Sequence, residues 1–198
     1  MAAQGTPNGD PIVITCHWLE RIVIGLNLCP FAKAVFAKNQ IRYVLSEARD
    51  TQELLTGLVA ELTHLQATPA DEVDTTLLIH PHVLADFLDY NDFLDIAEAA
   101  ITELSLDGEI QIASFHPDYR FADSYADAIE NYTNRSPFPM LHLLREASVE
   151  RAVDAFPDAV AIVDRNMATL RRLGVDGWRL LLATSPGDTE QAISPSPG

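Results

Sequence analysis

Short apolar strands alternate with amphipathic helices through the middle of the chain, and this alternation limits the possible folds more than any other feature. The strand patterns are RYVLS at 42–46, TTLLIH at 75–80 and EIQIASF at 109–115. Leucines at helical spacing predict a helix from about residue 50 to 65, and a longer helix is predicted from about Val83 to Leu104. Strands separated by helices in this way indicate parallel pairing through right-handed crossovers.

We therefore predict an α/β protein with a small, mainly parallel sheet of three or four strands and helices on both faces. A ferredoxin-like α+β sandwich is the alternative. A chain of 198 residues is long enough for one domain with one core. The domain is predicted to span residues 10–185, between disordered tails at 1–9 and 186–198, where glycine, proline and small polar residues dominate.

Two further helices are predicted near the ends of the domain. Asp10 followed by proline is a typical helix start, and apolar spacing extends this helix to about Leu28. The second helix starts at Pro157 and is predicted to stop at Gly174.

The long stretch after the third strand is the strongest indication of a functional region. About two dozen residues after Phe115 fit neither a helix nor a strand, and a loop of this length in a compact domain is usually functional or disordered. Its many aromatic residues argue against disorder. We expect an ordered loop that ends in a short helix carrying His142, Arg145 and Glu146.

Histidine followed by proline ends two of the strands, as His80-Pro81 and His116-Pro117. If those strands are parallel, both histidines lie at the carboxyl edge of the sheet, where open α/β sheets bind ligands. His116 is then a candidate general acid or base. With His82, the two histidines also form a candidate divalent-metal site, although Pro81 interrupts the strand between His80 and His82.

Cys29 is the candidate nucleophile. It precedes Pro30, the first residue of a predicted helical segment PFAKAVFAK, which places the thiol at a helix cap. The positive end of a helix dipole lowers a thiol pKa and would activate it, with His116 as the base if the fold brings them together. A buried structural cysteine is the alternative.

A third group of residues is suited to binding an anionic substrate, because a guanidinium group offers a planar fork of donors for a carboxylate or phosphate. The predicted substrate-binding residues are Arg135, Arg145, Asn131, Asn134, Tyr119 and Arg120. His142 lies four residues before Glu146, so on a helix the carboxylate could orient the imidazole as a further catalytic group.

Charge and motifs exclude several classes of protein. The net charge is −16 with only 13 basic residues, which disfavours nucleic acid and anionic membranes as partners. No nucleotide-binding GxGxxG or GxxxxGK[ST] motif and no GxSxG motif occurs. No apolar run reaches the roughly 18 residues of a membrane span, and the start does not resemble a signal peptide. With only two cysteines, a cytoplasmic protein is expected.

Four long blocks of the chain resemble a bacterial family known as domain of unknown function 1415. The blocks are WLERIVIGLNLCPFAK, LLIHPHVLADFLDYNDFL, IQIASFHPDYRFAD and NYTNRSPFPMLHLLREASV. The resemblance is taken to extend from about Trp18 to Arg172, beyond the end of the last block. The resemblance implies a bacterial, cytoplasmic protein, and it implies no particular activity, fold or catalytic residue.

Together these features predict a small-molecule enzyme that acts on an anionic carboxylate or phosphate substrate by histidine acid/base chemistry, with Cys29 as the nucleophile. A metal-dependent enzyme with histidine ligands is one alternative. A non-catalytic module that binds a metabolite or a protein is the other.

Overall fold

The computed structural model describes residues 9–155 and 159–183, which form one four-stranded sheet covered by helices. The strands are β1 (Ile41–Leu45), β2 (Thr75–Ile79), β3 (Ile110–Phe115) and β4 (Met140–Arg145). The α-helices are α1 (Pro11–Trp18), α2 (Ala32–Ala37), α3 (Thr51–Ala67), α4 (Phe87–Glu103), α5 (Glu146–Ala155) and α6 (Ala159–Ala183). A π-helix spans Leu19–Ile24, and a 3₁₀-helix spans Ile129–Thr133.

The strand order is β1-β2-β4-β3. β1 and β2 are parallel, whereas β4 is antiparallel to both of its neighbours, so that β1, β2 and β3 all run in one direction. The α/β class and a sheet of four strands are confirmed. The mainly parallel pairing is wrong, because β4 lies between β2 and β3 and converts what would be one parallel pair into two antiparallel pairs.

β4 also replaces the short helix predicted to carry His142 and Arg145. Alternate residues of β4 face opposite sides of the sheet, with Leu141 and Leu143 fully buried in the core under α3 and α4. His142 consequently points to the other face. Helix α5 begins only at Glu146, so Glu146 does not share a helix with His142 and the predicted pairing of the two is wrong.

The first face of the sheet packs on α3 and α4. The predicted leucine stripe of α3 is confirmed, since Leu54, Leu58, Leu62 and Leu65 are all fully buried. Asp50 caps α3 by accepting a hydrogen bond from the Glu53 N–H at 2.8 Å. Helix α4 starts at Phe87 and not at Val83, because Asp86 is its N-cap and accepts from the Leu88 N–H.

The second face packs on α1, the π-helix and α6. Asp10 caps α1 as predicted, but the α-helix ends at Trp18 and a π-helix continues to Ile24, so the prediction of one helix to Leu28 is wrong. Helix α6 passes through a kink at Gly174, where φ is 69°, and continues to Ala183. The predicted start at Pro157, the predicted tail at 186–198 and residues 1–8 of the predicted tail at 1–9 lie outside the described residues.

Helix α2 is shorter than predicted. It begins at Ala32 with Phe31 as its N-cap, and no side chain caps it. Cys29 therefore lies in the connection before the helix, and its predicted placement at the helix cap is wrong. No helix among residues 9–155 and 159–183 is long and apolar enough to cross a membrane.

Candidate ligand-binding groove

His80 and His116 follow the ends of β2 and β3 and lie at the same edge of the sheet. The ring of Tyr90 lies between them, with its centroid 5.9 Å from that of His80 and 5.1 Å from that of His116. Both histidines are fully buried. The shared edge follows from the common direction of β2 and β3, which survives the insertion of β4 between them.

Both ring nitrogens of His116 are occupied by backbone groups. Nδ1 accepts from the Asp118 N–H at 3.0 Å, so Nε2 carries the proton and donates to the Leu84 carbonyl at 3.2 Å. Burial lowers the pKa of His116. The imidazole is therefore neutral and holds two loop segments together, and neither nitrogen is open to a substrate.

The candidate metal ligands do not converge. His80 bonds through Nδ1 to the Val83 carbonyl at 3.1 Å, and burial lowers its pKa to about 4. His82 is exposed, with Nε2 3.6 Å from Oε2 of Glu47. In the part of the chain that the structure describes, no group of three or more His, Cys, Asp or Glu residues is arranged to hold a metal ion.

Asn131 and Asn134 organise the long loop internally. Oδ1 of the fully buried Asn131 accepts from the Phe121 N–H at 3.0 Å and from Oγ of Ser124 at 2.6 Å, and its Nδ2 donates to the Tyr125 carbonyl at 2.8 Å. Asn134 donates to the Ser114 carbonyl at 3.1 Å, which ties the loop to β3. These contacts explain why the loop is ordered.

Arg135 is buried and bound to the same loop. Its Nη2 donates to the Ala126 carbonyl at 2.6 Å, and its guanidinium carbon lies 4.2 Å from the centre of the Tyr132 ring. Tyr119 packs its ring against those of Phe87 and Phe121. Of the loop's predicted substrate-binding side chains, Arg120 is the exposed one.

Arg145, at the end of β4, binds the carboxyl end of α3. Its guanidinium donates to the carbonyls of Leu65 and Thr68 in the last turn and of Val73 in the following loop. Last-turn carbonyls lack partners within a helix and attract cations. In this structure the guanidinium fork of Arg145 therefore serves as a helix cap.

A large concave site lies on the second face of the sheet, away from the loop. It is a groove of about 800 Å³ between the sheet, the π-helix, α2 and α5. Its floor is formed by side chains of β2, β3 and β4, and its walls are mostly apolar. Residues that line it include Trp18, Leu19, Val23, Cys29, Phe31, Val35, Thr75, Leu77, Ala113, Phe115, His142 and Leu144.

Two of the predicted catalytic residues, Cys29 and His142, line this groove, whereas His116 does not. The predicted pairing of Cys29 with His116 is thus not formed. No hydrogen bond joins Cys29 to His142 among the residues whose positions are given. Both residues line one cavity of about 800 Å³.

His142 occupies the centre of the groove floor. It stands opposite Leu77 of β2 and Ala113 of β3, and its Nε2 lies 2.7 Å from Oγ1 of Thr75. The Thr75 hydroxyl also lies 2.6 Å from the Leu143 carbonyl. Burial lowers the pKa of His142 to about 4, so the imidazole is neutral at pH 7.

Aromatic side chains form one end of the groove. Trp18 meets the ring of Phe115 edge-on at 5.4 Å, and Phe115 lies 6.0 Å from the ring of His142. The indole Nε1 donates to the Arg135 carbonyl at 3.1 Å, which links this wall to the long loop. These wall residues were not predicted from the sequence. The period-two pattern of Met140, His142 and Leu144 is the signal that would have placed His142 on this face.

The fold and the groove together define an α/β protein with a mixed four-stranded sheet and a ligand-sized groove on one of its faces. The family model described as protein of unknown function (DUF1415) matches residues 11–180, and the chain belongs to this family. No curated protein and no solved structure matches the chain.

Proposed function

We propose that the protein binds a small organic molecule in the groove on the second face of the sheet. A volume of about 800 Å³ lies within the range of about 300–1,000 Å³ that is typical of small-molecule sites. The walls are largely aliphatic and aromatic, so burial of an apolar molecule would supply most of the affinity. The ligand would lie between the π-helix and the central strands.

The observation that carries this proposal is the imidazole of His142 on the groove floor. Apolar ligand sites use a few fixed polar groups to orient the bound molecule. His142 is held in place by Thr75 on the neighbouring strand and lies on the groove lining in the middle of the sheet. A binding role would explain why a polar side chain lies on this mostly apolar floor.

Catalysis at the same site is the second candidate, because Cys29 and His142 line one cavity. A substrate between them could receive nucleophilic attack from the thiol while the neutral imidazole accepts a proton. An anionic group on that substrate would find Lys38 and Arg151 on the groove lining. The cytoplasmic location and the lack of nucleic acid partners belong to the same proposal.

Occupancy of the groove can be measured by alkylation of Cys29. Cys16 lies outside the groove lining and provides an internal reference in the same protein. A panel of naphthalene-sized compounds should contain members that slow iodoacetamide labelling of Cys29 and leave the labelling of Cys16 unchanged, as measured by mass spectrometry. In Ala113→Leu the larger side chain fills the groove floor, so this variant should lose the protection of Cys29.

The matched control is Ala99→Leu on the exposed surface of α4, which should leave the protection intact. The proposal is wrong if no compound protects Cys29, or if the compounds protect Cys29 in Ala113→Leu as well as they do in the unchanged protein. Conversion of a protecting compound to a product that disappears in His142→Gln, with protection retained, would establish catalysis in place of binding alone.

A further inference from the structure

We infer that the groove selects molecules that present a hydrogen-bond donor, a hydroxyl or an N–H group, to Nδ1 of His142. This inference rests on the proposed binding function and names the chemistry of its ligand. It follows from where the protons must lie in the short chain of hydrogen bonds that joins His142, Thr75 and the backbone of β4.

The Thr75 hydroxyl is the central group of this chain. It has one proton and lies 2.6 Å from the Leu143 carbonyl oxygen, an atom that only accepts. Two oxygens at this distance without a proton between them would repel, so the hydroxyl donates to the carbonyl. Toward His142, the hydroxyl oxygen can therefore act only as a hydrogen-bond acceptor.

The Thr75 hydroxyl in turn fixes the tautomer of His142. Since Oγ1 of Thr75 accepts at 2.7 Å, Nε2 of the imidazole carries a proton and donates it. A neutral imidazole has a single N–H, so Nδ1 holds only a lone pair. Nδ1 has no hydrogen-bond partner among the described residues, and it is not among the side-chain nitrogens and oxygens that are both buried and without a partner, so it is open to the groove.

The charge of the imidazole limits which ligand groups Nδ1 can bind. A carboxylate on the ligand could bond to Nδ1 only if the imidazole gained a second proton. Burial opposes that protonation and lowers the pKa of His142 to about 4. At neutral pH the floor of the groove therefore rejects an acceptor and favours a donor.

The space beside His142 supports a ligand contact at this point. Its paired residue on β3 is Ala113, whose small methyl group leaves room above the strand. Its paired residue on β2 is Leu77. The charged residues of the groove lining, Asp71, Asp74, Lys38 and Arg151, belong to other elements than the strands of the floor. The expected ligand is a largely apolar molecule with one hydroxyl or N–H group directed to the floor.

The ligand-free protein tests the inference directly. Two-bond ¹H–¹⁵N spectra of protein labelled with ¹⁵N-histidine at pH 7 should show His142 as the neutral tautomer with its proton on Nε2. The signal is assigned by its loss in His142→Gln. A proton on Nδ1, or a charged ring at this pH, would overturn the inference without any ligand.

Three naphthalenes of similar size then test selection by the groove. Protection of Cys29 from alkylation should be about tenfold stronger with 2-naphthol than with 2-methoxynaphthalene or 2-naphthoate, the effect expected of one hydrogen bond. Thr75→Val removes the acceptor that fixes the tautomer and should reduce this preference to less than about threefold. Thr76→Val is the matched control, because its Oγ1 is buried with no partner among the residues that the structure covers, and the preference should persist.

The outcomes separate the two claims. Equal protection by all three compounds, or stronger protection by 2-naphthoate, overturns the inference and leaves the groove as a binding site. Absence of protection by any of them overturns the binding function and the inference with it. A preference for 2-naphthol that is unchanged in Thr75→Val would show that the chain of hydrogen bonds does not set the selectivity.

Discussion

The hydroxyl group of Tyr90 donates a hydrogen bond to the carbonyl of Met140 at 2.9 Å, and this contact ties α4 to the first residue of β4. The same oxygen accepts from the Phe115 N–H at 3.1 Å, at the end of the adjacent strand. Tyr90 is fully buried. One side-chain atom thus satisfies two backbone groups at the edge of the sheet where β3 and β4 meet.

Replacement of Tyr90 by Phe should lower the free energy of unfolding by about 2 kcal/mol, because it leaves a buried donor and a buried acceptor without a partner. Urea denaturation measures this change. The control is Tyr132→Phe, since the Tyr132 ring is buried but its hydroxyl makes no hydrogen bond within the described residues, and a loss below about 0.5 kcal/mol is expected there. Equal losses in both variants would contradict the bridging role.

The prediction of a shared histidine edge succeeded because it depended only on strand direction. Apolar runs followed by His-Pro mark where β2 and β3 end, and their common direction places His80 and His116 together whatever lies between them. The rings of both then pack against Tyr90. The direction of β2 and β3 follows from the apolar runs and from the helical connections between them, and both features are visible in the sequence.

The type of β4 could not be predicted in the same way. Four of its six residues are apolar, and a short apolar run fits a buried strand or a turn of helix equally well. The run becomes a strand because it fills the space between β2 and β3 and pairs with both of them. The groove could not be predicted for a related reason, since Cys29, Thr75 and His142 are distant in sequence and line one cavity only in the folded protein.

The π-helix should depend on the glycine that follows it. A Cβ atom added to Gly25 would lie 2.3 Å from the backbone oxygen of Arg21, so the wide turn would have to shift. Gly25→Ala should therefore lower the free energy of unfolding by about 2 kcal/mol, as overpacking does elsewhere, in urea denaturation. Leu19 and Val23 of this helix line the groove, so labelling of Cys29 should change as well.

Gly57 in α3 provides a control of opposite sign. An added Cβ meets nothing within 4 Å there, and alanine is a better helix former than glycine. Gly57→Ala should raise the free energy of unfolding by about 0.5–1 kcal/mol. A Gly25→Ala protein as stable as the unchanged one would show that the π-helix tolerates a side chain at this position.

Arg145 should not be replaceable by lysine. Its planar fork reaches the carbonyls of Leu65, Thr68 and Val73 together, which a single ammonium group cannot do with the same geometry. Arg145→Lys should lower the free energy of unfolding by about 2 kcal/mol in urea denaturation. Arg120→Lys, on the exposed part of the loop, should change it by less than about 0.5 kcal/mol, and equal effects would refute the cap.

His80 should make the protein less stable in mild acid. Its pKa in the folded protein is lowered to about 4 by burial, whereas an unfolded histidine titrates near about 6.5. Between these pH values the unfolded state binds more protons than the native state, so the free energy of unfolding falls as pH decreases. His80 alone should remove about 2 kcal/mol between pH 7.5 and pH 5, a loss that grows toward pH 4 and then levels off. His142, whose pKa is also lowered to about 4, adds a loss in the same direction.

Urea denaturation at pH 7.5 and pH 5 measures this dependence. His80→Asn keeps a donor for the Val83 carbonyl and has no group that titrates in this range, so the difference between the two pH values should shrink by about 2 kcal/mol. His64→Asn alters an exposed histidine on α3 and should leave the difference as it is in the unchanged protein. If His80→Asn and the unchanged protein lose the same stability between pH 7.5 and pH 5, then burial does not keep His80 neutral and the two histidines at this edge are in contact with water.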